Sequence, residues 1–303
     1  MKRRKVLGSM AMSVGALSVG SCTAKQVIEN TSVEEKVMDK TFYSKKEKLK
    51  GNVNHSVCKW CYSKTPLEAL AEACQEMGIK SIEILSEPEW RPLIKDHGLQ
   101  CAIANGSPLG IENGFNEPNN HEQLLKDLTD IIPKAAELGI PQVITFSGSR
   151  RGMDDLVGMD NCARGLEPVV KLAEQHGINI VMELLNSKVD HKDYMGDRTD
   201  WGIGLVEKLN SPNFKLLYDI YHMQVMEGDV IATIKKHHKY IGHYHTGGVP
   251  GRNEINDTQE LYYPAIIKAI LETGFKGYLA QEFIPTRANP LESLQEGIHI
   301  CDV

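Results

Sequence analysis

The sequence predicts a (β/α)8 TIM barrel, an α/β fold in which eight parallel strands close into a ring wrapped by eight helices. Three observations carry that prediction. From about residue 51 onward, short β-branched runs alternate with longer amphipathic stretches, as a parallel sheet requires. A glycine and an apolar residue precede strand after strand, at Gly78-Ile79, Gly98-Leu99, Gly139-Ile140, Gly177-Ile178 and Gly274-Phe275. Eight such units in about 250 residues fit a closed barrel. The open doubly wound alternative would need a phosphate-binding glycine loop, and neither GxGxxG nor GxxxxGK[ST] occurs.

The elements follow in order. The first strand is expected over 52–57, and Thr65-Pro66 supplies the cap and first turn of a helix. Leu67, Leu70, Ala71 and Cys74 recur there at helical spacing, and Gly78 ends the helix. The second strand is expected over 79–85. CAIAN (101–105), QVITF (142–146) and NIVMEL (179–184) supply the third to fifth, and 214–219, 240–245 and 276–283 complete the eight. Helices are expected near 120–138, 160–176, 199–209, 229–238, 262–273 and 290–300.

Two segments precede the barrel. Residues 1–22 read as an export signal: Lys2 to Lys5 are basic, the next stretch is short and weakly apolar, and Val19-Gly20-Ser21-Cys22 has the small-residue form of a lipobox. Arg3-Arg4 also fits a twin-arginine signal, a route that exports folded proteins. Residues 23–50, rich in Lys and Glu and without sustained periodicity, read as a flexible tether. The expectation is an exported protein, periplasmic or held at the membrane only by an N-terminal lipid. The formal charge is −6; without the four N-terminal bases, 30 bases face 40 acids and it becomes −10. That balance disfavours a nucleic-acid partner.

In a barrel the chemistry gathers at the C-terminal strand ends. Four consecutive strands end in MELLN with Glu183, LYDIYH with Asp219 and His222, HYH with His245, and QEF with Glu282. Three carboxylates at one rim repel each other unless a cation sits among them. Glu183, Asp219, His245 and Glu282 are therefore the expected metal ligands. Their oxygen-rich set favours a hard divalent ion, Mg²⁺ or Mn²⁺.

Those residues, with GGVPGRNEINDTQELYYP over 247–264, resemble the xylose-isomerase-like barrels, and within them the hydroxypyruvate isomerase subgroup. The resemblance runs from about residue 51 to about 292. It implies that Glu183 and Glu282 also form the catalytic proton-transfer pair, and that His222 and Arg252 hold substrate oxygens. It further implies an aldose–ketose type isomerase acting through an enediolate on a small hydroxy-carbonyl or sugar substrate. Hydroxypyruvate, giving tartronate semialdehyde, is the leading candidate. His245 stands where that subgroup often has glutamine and the sugar epimerases have histidine, so an exported keto-sugar isomerase or 3-epimerase is the alternative. A non-catalytic sugar-binding lipoprotein is a third reading; the intact pair Glu183 and Glu282 argues against it. A zinc-dependent abasic-site endonuclease would need more ligands and a basic surface.

Arg252 suits a substrate carboxylate, which guanidinium binds bidentately; a loop salt bridge to Glu254 is the competing role. Cys58 and Cys61 form a CxxC at the end of the first strand, where a disulfide could form in an oxidising compartment. Trp60 suits a pocket wall or core packing equally well. His55 and Glu83 are strand residues whose direction the pattern leaves open. The sequence leaves pairing into a homo-oligomer through the helical faces equally open.

Overall fold

The computed structural model describes residues 48–303; the expected export signal, Cys22 and most of the tether lie outside the described residues. Seven strands form one parallel sheet: β1 (Asn54–Cys58), β2 (Ser81–Glu83), β3 (Gln142–Thr145), β4 (Asn179–Leu184), β5 (Phe214–Asp219), β6 (Ile241–Thr246) and β7 (Tyr278–Gln281). Their order is β2-β1-β7-β6-β5-β4-β3.

The expected third strand is present only as isolated parallel bridges. Gln100 bridges Ser81, and Ala104 bridges both Leu85 and Val143, so the segment closes the ring between β2 and β3. Two local departures prevent a regular ladder here. The Ser81 hydroxyl takes the Ala102 N–H at 2.9 Å, and Ile84 has φ +56°, which turns the chain out of extended geometry. The barrel is thus confirmed, with seven laddered strands rather than eight.

The helices among the described residues number nine: α1 (Leu67–Met77), α2 (Glu87–Arg91), α3 (His121–Glu137), α4 (Asp155–His176), α5 (Thr199–Leu209), α6 (Ile220–Met226), α7 (Val230–His237), α8 (Tyr263–Glu272) and α9 (Pro290–Cys301). Two are unexpected, the short α2 and α6, and α6 starts directly at the end of β5. Its N-cap is Asp219, whose side chain accepts the His222 N–H. Elsewhere the expected signals act: Gly177 ends α4 at φ +67°, leading into β4.

Alternation along each strand sorts the side chains. Ile180, Met182 and Leu184 belong to the layer packed under the helices, whereas Val181 and Leu217 join Ile103 and Ile144 in a separate cluster inside the barrel. Two residues beyond Val181 is Glu183, and two beyond Leu217 is Asp219, so both carboxylates point inward one rung higher. A bulge between Leu216 and Leu217 shifts the pairing with β6, after which Asp219 lies opposite His245.

The same alternation sends His55 outward with Val57, away from the mouth. Its Nε2 lies 3.9 Å from Asp302, and neither ring nitrogen has a hydrogen-bond partner. Burial pushes its pKa down to about 4 against the pull of Asp302. An unfolded histidine titrates near 6.5, so the unfolded chain takes up this proton first as the pH falls. The fold should therefore lose roughly 3 kcal/mol from this residue between about pH 6.5 and pH 4. Urea denaturation at pH 7 and pH 4.5 measures that loss, and His55→Gln should shrink it.

Candidate active site

Each expected metal ligand sits where a strand delivers it to the barrel mouth. Glu183 is in β4, Asp219 ends β5, His245 is in β6 and Glu282 follows β7. All four are buried, and one ligand atom from each lies within 4.8 Å of every other. His245 Nδ1 is 2.9 Å from Glu282 Oε2 and 3.5 Å from Glu183 Oε1.

Burial and the Glu282 charge push Glu183 above the usual carboxylate range. Burial also drives Asp219 well above it, although Arg252 pulls the other way. For Glu282 burial acts upward too, but His245 and Arg252 outweigh it and hold the group well below. His245 lies well above the ordinary histidine value: burial opposes this, while Cys58, Glu282 and the other acids favour the charged ring. Acting as a ligand through Nδ1 would cost His245 the proton on that nitrogen.

A divalent cation fits this set on the evidence of its unsatisfied atoms. Glu183 Oε1, Asp219 Oδ2 and His222 Nε2 are buried without hydrogen-bond partners. Leaving such atoms unpaired is costly, and the two carboxylate oxygens are free to accept a cation beside the His245 ring. Oxygen-rich donors with a single imidazole suit a hard ion.

His222 stands beside the cluster rather than in it. The Asn186 N–H donates to its Nδ1 at 3.2 Å, and the Asn186 side-chain Nδ2 lies 2.7 Å from the same atom. Accepting there leaves the proton on Nε2, and burial keeps the ring neutral. Nε2–H lies 3.8 Å from Asp219 Oδ2 and is free to donate to a substrate oxygen.

Arg252 also reaches the mouth. Its loop is closed by the Gly248–Asn253 bridge, and a Cβ on Gly248 would lie 2.3 Å from the Glu254 carbonyl oxygen. Arg252 has φ +59°, a strained conformation for a long side chain. Its guanidinium is 2.7 Å from Glu282 Oε2 and 3.6 Å from Asp219 Oδ2, and lies over the Trp60 and Tyr221 rings. The competing pairing with Glu254 is not formed. Glu254 instead accepts from the Thr286 N–H, the Thr286 hydroxyl and the Ser293 hydroxyl.

Other residues take parts the sequence left open. Trp60 lies on the turn after β1 and donates Nε1–H to Glu282 Oε1 at 2.8 Å, so it walls the mouth and fixes the Glu282 carboxylate. The Tyr194 hydroxyl donates to the Glu183 carbonyl oxygen at 2.9 Å and receives the Ser147 N–H. Its position in the loop after β4 gave no sequence signal. Cys58 and Cys61 are free thiols, so the disulfide the sequence left open is not formed. Cys58 faces inward, its Sγ 3.7 Å from His245 Nε2, and burial holds the thiol well above its ordinary range.

Glu83 is the largest addition. It is fully buried at the end of β2, and its Oε1 lies 2.9 Å from His245 Nε2. Ser56 donates its hydroxyl to Oε2, and His243 Nε2 stands 3.0 Å from Oε1 without the alignment of a hydrogen bond. Cys58, Glu83 and His245 lie close enough to form a second ligand group. The protonated thiol and the donors already facing Glu83 make that group a hydrogen-bonded cluster.

Residues 71–301 match the family described as xylose isomerase-like TIM barrel. A putative hydroxypyruvate isomerase from Homo sapiens is 26% identical over 244 residues, covering 78% of this chain and 80% of that protein. A D-psicose 3-epimerase from Ruminiclostridium cellulolyticum is 23% identical over 236 residues, 70% of this chain and 76% of that protein. The crystal structure of an AP endonuclease, family 2, from Brucella melitensis superposes with a TM-score of 0.72 at 22% identity. It covers 80% of this chain and 97% of that one, and the likeness is one of fold. With the barrel, the family match and these relatives in agreement, the chain belongs to the xylose isomerase-like TIM-barrel family and is an isomerase.

Proposed function

We propose that the protein is a divalent-metal-dependent isomerase that moves a proton between adjacent carbons of a small hydroxy-carbonyl compound through an enediolate. Hydroxypyruvate, interconverting with tartronate semialdehyde, is the substrate the site fits best. One observation carries this reading: Glu183 Oε1, Asp219 Oδ2, His222 Nε2 and Arg252 Nε all lie buried and unpartnered in residues that gather around Asp219 at one barrel mouth. Acceptors for a cation and donors for a substrate therefore meet at a single place.

Glu183, Asp219, His245 and Glu282 would hold the cation. When bound, it would polarise the substrate carbonyl and acidify the neighbouring C–H. One of Glu183 and Glu282 removes that proton and the other supplies a proton at the adjacent carbon. His222 Nε2–H donates to a substrate oxygen and opposes charge building there. Arg252, with Nε unpartnered, pairs with a substrate carboxylate, while Trp60 and Tyr221 hold its plane. The relative that is a D-psicose 3-epimerase favours a second reading, a keto-sugar 3-epimerase. It would use the same glutamates, with the proton returned to the carbon it left, on the opposite face.

The N-terminal segment supports a further proposal, an exported protein anchored through lipid on Cys22. Cys22→Ser should shift the protein from the detergent phase to the aqueous phase on Triton X-114 partitioning.

Proton exchange followed by NMR in D₂O with Mn²⁺ or Mg²⁺ tests the function. Exchange on hydroxypyruvate with appearance of tartronate semialdehyde is expected, and Glu282→Gln should slow it by about 10²–10⁴-fold with the fold retained. Unchanged turnover by that variant would sink the mechanism, and exchange on ketoses alone would move the protein to the epimerases. Arg252→Lys should raise KM for hydroxypyruvate by about 10–100-fold, the loss of a bidentate contact, and alter a neutral ketose far less. Steady-state kinetics on both substrates checks that difference.

A further inference from the structure

We propose that Glu83 is a positioning residue for the cation site: it accepts the Nε2 proton of His245 and so presents that ring's Nδ1 to Glu183, Asp219 and Glu282. The inference rests on the metal-binding reading above and adds the one strand end on the far side of β1 that the ligand set does not use.

The geometry is direct. The two nitrogens of an imidazole lie on different edges of the ring. On one edge His245 Nδ1 lies within 3.5 Å of the Glu183 and Glu282 oxygens. On the other, Nε2 lies 2.9 Å from Glu83 Oε1 in a buried hydrogen bond. A histidine ligand commonly donates its second N–H to a carboxylate, which fixes the tautomer and strengthens the nitrogen that binds. Without such a partner the ring could carry its proton on Nδ1, the nitrogen the site needs bare.

Glu83 is itself held in place. Ser56 donates its hydroxyl to Oε2 and lies directly opposite Ser81 in the β1–β2 ladder. Cys58 lies opposite Glu83 in the same ladder. The His243 ring stands perpendicular to the His245 ring at 5.1 Å and closes the remaining side. A carboxylate serving the barrel core alone would not need an oxygen on the far nitrogen of a ligand histidine.

The test is Mn²⁺ binding by the full-length protein, followed by electron paramagnetic resonance, beside long-range ¹H–¹⁵N NMR of the His245 ring. Glu83→Gln should weaken Mn²⁺ binding by about 10–100-fold and redistribute the His245 proton between its two nitrogens. Ser56→Ala keeps the Glu83 charge and loosens its orientation; it should weaken binding by a smaller factor and decides the matter if Glu83→Gln does not fold. Wild-type affinity and an unchanged Nε2–H signal in a folded Glu83→Gln protein would overturn the inference while leaving the metal site standing. Mn²⁺ binding by an Asp219→Asn protein that equals the wild type would instead overturn the metal reading on which it rests.

Discussion

Three carboxylates and one imidazole share the mouth of a barrel whose interior just below them is apolar, and their mutual repulsion is the constraint to which the surrounding residues respond. Arg252 is the fixed positive charge that reaches them, and its strained backbone and two aromatic neighbours show how much local structure serves that placement. The groups are arranged so that burial penalises charge on Glu183 and Asp219 while Glu282 stays ionised beside its two cations. A barrel tolerates this because its strand ends are rigid and the loops above them can be spent on charge compensation.

Each reactive side chain is also tied from behind. Asn186 sets the tautomer of His222, Trp60 grips one oxygen of Glu282, Tyr194 pins the backbone of Glu183, and Glu83 takes the rear of His245. Asp219 does double duty, since one oxygen caps α6 and the other faces the cluster without a partner. The helix start that carries His222 is thereby fixed by the carboxylate it assists.

What the sequence made legible followed from repetition and chemistry together. The glycine–apolar phrase located the strands, and four polar strand ends in succession located Glu183, Asp219, His245 and Glu282, which the structure brings together. The third strand was over-read: CAIAN has a strand's composition, but the Ser81 side chain and the turned Ile84 take it out of the ladder. Helix α6 was missed because its seven residues are too few to show a period. Glu83 carried a readable signal, a carboxylate inside a buried strand, yet its face depends on register with β1, which one strand cannot reveal. Tyr194 and Asn186 act through backbone and ring contacts across loops, and no local pattern marks such roles.

The interrupted third strand gives the barrel a seam. The unbroken ladder runs from β2 through β1, β7, β6, β5 and β4 to β3, and every strand that delivers a residue of the cluster lies within it. Only isolated bridges join its two ends. Breathing of the ring is cheapest where fewest backbone bonds must part, and only two, from the Ala104 N–H to Gln142 and from the Ile144 N–H to Ala104, join the bridging segment to β3. The thinnest joint of the wall thus lies beside β3, a strand that carries none of the four residues of the cluster.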